Sequence, residues 1–174
     1  KGTLELTKAG TYDVLVRQSP GDQMLVDADG VTGYQSITVK AATTAPKLTE
    51  QDSSDCEFLV AGETCMIEVT PKDEYGNVQE KTDFPDDFSV EIISPTGELV
   101  HKIASYVNGQ NGGWPETPVY KYEIDTASIN DYAMGKYQIQ VKFREAFVSG
   151  SPYIVEVRRE RTTRQRMNDA TAKE

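Results

Sequence analysis

The sequence predicts an all-β chain, an antiparallel β-sandwich. Three observations carry that reading. Apolar residues recur at every second position in run after run, which sends them to one face of a half-buried strand. Clusters of Gly, Pro, Ser, Asn and Asp separate the runs and reverse the chain. Hydrophobic residues make up 37% and charged residues 26% of the 174 residues, which suits a thin sandwich with much surface better than a thick α/β enzyme.

The clearest stretch is Gly135 to Val157. Tyr137, Ile139, Val141 and Phe143 alternate, as do Tyr153, Val155 and Val157. Ser149-Gly150-Ser151-Pro152 turns the chain between them. Pro152 has no N–H to donate and suits the first residue of an edge strand. The pair reads as the last hairpin of a sandwich.

From the N-terminus, residues 1–42 read as the end of a preceding repeat. Thr3 to Thr7 alternates weakly, and Ala9-Gly10-Thr11 opens a strand carrying Tyr12, Val14 and Val16. Ser19 to Asp22 and Asp27 to Gly30 break the chain, and Tyr34 to Lys40 closes it with Ile37 and Val39. The order Gly-x-Tyr, loop, closing strand repeats that of Gly135–Val157. Ala41 to Gln51 is small and polar, with 43–51 as linker and entry to the next unit.

Ser53-Ser54-Asp55 is a turn and Glu57 to Val60 a short edge strand. Ala61-Gly62-Glu63 leads into a strand with Cys65, Ile67 and Val69 on one face. Asp73-Glu74-Tyr75-Gly76-Asn77 is a tight turn. Phe88, Val90 and Ile92 alternate up to the turn Ser94-Pro95-Thr96-Gly97, and Leu99 to Ala104 follows as a shorter strand. After the Gly-rich stretch 108–118 comes a strand with Tyr120, Tyr122 and Ile124, then a polar excursion to Met134.

Three groups of these residues resemble the filamin-type immunoglobulin-like repeat. The first is Gly135-x-Tyr137-x-Ile139-x-Val141, then Gly150-Ser151-Pro152-Tyr153, then Val155 and Val157. The second is Ala61-Gly62-Glu63, and the third is Asp73-x-x-Gly76-Asn77. Tyr153 stands where the family carries Phe, and Gly33-Tyr34 stands where the earlier unit would carry Gly-Ser-Pro-Phe. The match spans 46–157, about the ~100 residues of such a sandwich. It implies one complete filamin-type repeat over 46–157, preceded by the C-terminal strands of another and followed by a basic tail, 158–174.

The net charge is −10. The tail holds six basic and three acidic side chains, which leaves a net −13 on residues 1–157. That body repels nucleic acid and acidic lipid. No apolar run is long enough to span a membrane, and no signal peptide is visible. The chain opens on Lys1 and reads as a fragment or a processed product. Cys56 and Cys65, nine positions apart with no His nearby, do not have zinc spacing. They are either bridged across a local hairpin or two packed thiols.

Catalytic residues and cofactors are not expected. His101 is the only His and reads as a surface side chain in a short strand. No nucleophile elbow or phosphate loop is present. Asp27-Ala28-Asp29-Gly30 looks like half a calcium loop, but Val31 and Thr38 stand where further ligands are needed, so it reads as a turn. Asp83, Asp86 and Asp87 read as a solvated loop in preference to an interdomain ion site. Trp114 reads as a plug over the end of the sandwich in preference to a partner anchor.

The resemblance implies docking by strand addition in a groove between the third and fourth strands, here Phe88, Val90, Ile92, Leu99 and Ile103. Arg158, Arg159, Arg161, Arg164 and Arg166 form either a solvated linker or a contact for an acidic surface. The function expected is that of a non-catalytic spacer and docking module in a longer multi-repeat scaffold. Its partners would be neighbouring repeats and proteins of the actin or microtubule cytoskeleton, and an axonemal site is compatible. The alternative is a cell-surface adhesion module with Cys56 bridged to Cys65.

Overall fold

Alternating apolar residues form strands here because a period of two places them on one buried face. The structure is a computed structural model and describes residues 3–15, 17–18, 23–24, 34–79, 87–103, 119–126 and 134–158. Asp27, Asp29, Asp83, Asp86, Trp114, Arg159, Arg161, Arg164 and Arg166 lie outside these residues.

Two antiparallel pairs come first: β1 (Gly10–Leu15) with β4 (Tyr34–Val39), and β2 (Arg17–Gln18) with β3 (Gln23–Met24). Then follow β5 (Glu50–Asp52), a 3-10 turn (Ser54–Cys56), β6 (Phe58–Val60) and β7 (Thr64–Thr70). The remaining strands are β8 (Phe88–Ile93), β9 (Leu99–Ile103), β10 (Tyr120–Asp125), β11 (Gly135–Phe143), β12 (Ala146–Phe147) and β13 (Tyr153–Arg158). One sheet has the order β10-β7-β5. The other has the order β6-β13-β11-β8-β9, with β12 folded back onto β11. All its pairs are antiparallel except β13 with β6.

The two sheets face each other through the residues that alternate in the sequence. Cys65, Ile67 and Val69 of β7 and Tyr120, Tyr122 and Ile124 of β10 come from one sheet. From the other come Phe88, Val90 and Ile92 of β8, Tyr137, Ile139, Val141 and Phe143 of β11, and Val155 and Val157 of β13. Phe88 joins the layers: its ring centroid lies 4.9 Å from that of Phe143 and 5.7 Å from that of Tyr120. Each such buried side chain contributes roughly 1.5–3 kcal/mol of apolar transfer.

The closing turn is anchored to the start of the sandwich. Gly150 has φ +80°, a value that favours glycine. Ser151 Oγ accepts the Val141 N–H at 2.7 Å, and the Ser149 N–H donates to the carbonyls of Pro46 and Thr49. The Ser151–Pro152 peptide is cis.

The first strand pair and the last hairpin share a glycine at the opening register position. Gly10 opposes Val39 as Gly135 opposes Val157, and the two glycines have φ of 150° and 147°. A Cβ on Gly135 would lie 2.9 Å from Cγ of Pro95, so that position excludes a side chain on two counts.

Some expectations change. Thr3 to Thr7 forms no strand, and the end of the expected linker, Glu50 and Gln51, becomes part of β5. β12 has no counterpart in the alternation pattern: Arg144 at φ 53° turns β11 sharply enough for Ala146 to pair with Phe143.

Candidate docking edge

The sequence places a binding groove between Phe88–Ile93 and Leu99–Ala104. The structure closes that groove. β8 is hydrogen-bonded to β11 on one side and to β9 on the other, with Val90 opposite Ile103 and Ile92 opposite His101. Phe88, Val90 and Ile92 point into the core and are fully buried. An incoming strand has no edge of β8 to pair with, because β9 already occupies it.

The edge moves outward to β9. Among the described residues no strand lies on its far side. Leu99 is 56% and Val100 36% exposed, while Ile103 tucks against the core. Ile93 opposes Leu99 and Ile92 opposes His101, so Val100 is an extra residue, a bulge. Bulges twist an edge and blunt indiscriminate pairing. The surface is thus a short edge with two apolar side chains at its start. His101, half-buried, opposes Ile92.

The outer face beside this edge is held by charge. Glu91 of β8 accepts from Lys142 of β11 at 2.6 Å and from Lys102 of β9 at 2.9 Å. Those two lysines hold the Glu91 carboxyl below its ordinary value. Lys102 is pushed up by the same pairing. The ion pairs tie β9 to the sheet across β8.

Other expected sites fall as follows. Asp87 accepts from Arg144 Nη2 at 3.0 Å, so its charge is already matched by a cation. No cluster of three or more His, Cys, Asp or Glu side chains among the described residues could hold a metal. Arg158 ends β13, with its guanidinium 5.0 Å from the Phe58 ring and paired to Glu156. It therefore belongs to the sandwich rather than to a free tail.

Cys56 and Cys65 are bridged and buried, with Cα atoms 5.3 Å apart. The bridge joins the 3-10 turn before β6 of one sheet to β7 of the other. Of the two alternatives that the sequence allows, the structure takes the bridge.

Sequence reasoning missed a second site. Asp73 and Asn77, which read only as a turn, are buried and bind the main chain of residues 7–9 and 42. The turn's sequence carries no signal of this, because its targets lie 31 to 70 positions away.

No family model and no curated protein matches the chain. Solved structures do. The FdeC adhesin of Escherichia coli is 16% identical over 88% of this chain and 41% of its own, with a TM-score of 0.55. The fold is an immunoglobulin-like sandwich. That likeness, at such low identity, concerns fold alone. The filamin domain of Lin-41 is 17% identical over 68% of this chain and all of its own, at a TM-score of 0.49. The chain thus spans less than half of the FdeC chain that it resembles. No helix among the described residues is long and apolar enough to cross a membrane.

Proposed function

We propose that this chain is a non-catalytic spacing and docking module of a longer, filamin-type multi-repeat protein. Partners dock by adding a strand to the outer edge of β9. The observation that carries this is the position of β9: last in its sheet among the described residues, short, bulged at Val100, with Leu99 and Val100 exposed. An extended peptide finds main-chain partners there for affinity and alternate side-chain positions for specificity. Selection of linear peptides from a displayed library on the full 174-residue chain tests it. The selected peptides are expected to shift the amide resonances of Leu99 to Ile103. Peptides that shift only other surfaces would remove the docking role from β9.

The Cys56–Cys65 bridge favours the cell-surface adhesion reading over the cytoskeletal scaffold. Disulfides persist in oxidising compartments and are rare where glutathione keeps thiols reduced. The sandwich, the edge and the spacing role are common to both readings; the redox state of these two residues separates them.

A further inference from the structure

The Asp73-x-x-Gly76-Asn77 turn lies at the end of the sandwich that meets β1 and β4. Its side chains divide the work. Oδ1 of Asp73 braces the turn itself, accepting the N–H of Tyr75 at 2.9 Å and of Asn77 at 2.8 Å. Oδ2 accepts the Nδ2 of Asn77 and, outside the turn, the Ala42 N–H, both at 2.9 Å. Asn77 reaches the other strand: Nδ2 donates to the Thr7 carbonyl at 2.8 Å, and Oδ1 accepts the Ala9 N–H at 3.0 Å. Nε2 of Gln79 donates to the Ala42 carbonyl at 2.8 Å.

Residues 7–9 lead into β1 and residues 40–42 leave β4, whose first and last residues oppose each other as Gly10 and Val39. The turn therefore holds both legs of one strand pair at its base. Every one of these four contacts ends on a main-chain atom of the preceding unit: Thr7 O, Ala9 N, Ala42 N and Ala42 O. Asp73, Asn77 and Gln79 are all buried, with exposures of 1%, 9% and 8%, and reach out to the exposed residues Thr7, Ala9 and Ala42. Beside them a cleft of about 660 Å3 separates the strand pair from the sandwich, lined by Thr11, Thr38, Lys40, Thr44, Val78 and Phe143. The polar contacts from Asp73, Asn77 and Gln79 bridge the two parts beside that cleft.

We propose that Asp73, Asn77 and Gln79 form a docking surface for the base of a neighbouring repeat, with their side chains binding its backbone. The occupant is the preceding unit of this chain. Its engagement makes the strand pair and the sandwich reorient as one body. This holds in either compartment and for any partner at β9.

Residual dipolar couplings on the full 174-residue chain test it. In the unaltered chain, amides of β1 and β4 and amides of the sandwich are expected to fit one common alignment tensor. Asn77→Ala is expected to split them into two. So is Ala42→Pro, which deletes the donated N–H from outside the sandwich and leaves the turn intact. Thr7→Val and Ala9→Ser change side chains only and are expected to keep the single tensor. Two tensors in the unaltered chain would overturn the proposal. A single tensor in Ala42→Pro would also overturn it, as would a split in Thr7→Val or Ala9→Ser equal to that in Asn77→Ala. Should Asn77→Ala fail to fold, Ala42→Pro decides.

Discussion

Thr126 follows β10 at 2% exposure and holds the Ala61-Gly62-Glu63 turn. Its Oγ1 accepts the Gly62 N–H at 2.8 Å and donates to the Glu63 carbonyl at 2.7 Å. Valine has the same shape without the hydroxyl, so Thr126→Val removes both side-chain bonds, while the Glu63 carbonyl keeps the Thr126 N–H. That is expected to cost about 0.5–1.5 kcal/mol, read as a fall in the urea midpoint, while Thr126→Ser retains most of the stability. Glu91 gives a second prediction, in pH. Its folded pKa is depressed, first by the hydrogen bond from Lys142 and then by that from Lys102. Its contribution is therefore complete above the unfolded carboxyl value of about 4.3 and is lost as pH falls through the lower folded value. Glu91→Gln is expected to destabilise the chain at pH 7 and to flatten the loss of stability on acidification. An acid limb with unchanged slope would contradict that. Asp73 has the same sign for a different reason: burial pushes its carboxyl up, but hydrogen bonds from Asn77, Ala42 and Tyr75 outweigh burial and hold it below its ordinary value.

At the level of strands, the Cys56–Cys65 bridge closes a loop of nine positions between the two sheets. A loop of that size is expected to contribute about 2–3 kcal/mol by restricting the unfolded chain. The double variant Cys56→Ala, Cys65→Ala is expected to lose that amount by urea unfolding and to keep the chemical shifts of β8 and β11. The strands themselves are legible in the sequence, because each core strand buries the residues that alternate: Cys65, Ile67, Val69 in β7 and Tyr137, Ile139, Val141 in β11. Alternation reports which face is buried but not which strand lies alongside. The pairing of β9 with β8, which closes the expected groove, depends on long-range register that no local pattern encodes. The bridge is undetermined by sequence for the same reason, since a separation of nine positions does not say whether two segments cross. The joint at Asp73 is invisible there because turn chemistry alone accounts for Asp, Gly and Asn in that order. Only the burial of Asp73 and Asn77 reveals that they serve another segment.

Across the whole molecule, Gly10 and Gly135 occupy matching corners of the first strand pair and the last hairpin, and the Asp73 turn contacts the base of the first pair. A body of net charge −13 discourages nucleic acid and acidic surfaces. The role proposed for it is to hold distance and present edges. The redox state of Cys56 and Cys65 tests the compartment proposed for that role. In protein taken from its native source, free thiols are trapped with an alkylating agent under denaturing conditions, then the chain is reduced, alkylated with a second, heavier agent, and weighed. A module that works at the cell surface is expected to carry only the second label on both Cys56 and Cys65. Both residues carrying the first label would contradict that role and return the chain to the reducing cytosol as an intracellular scaffold.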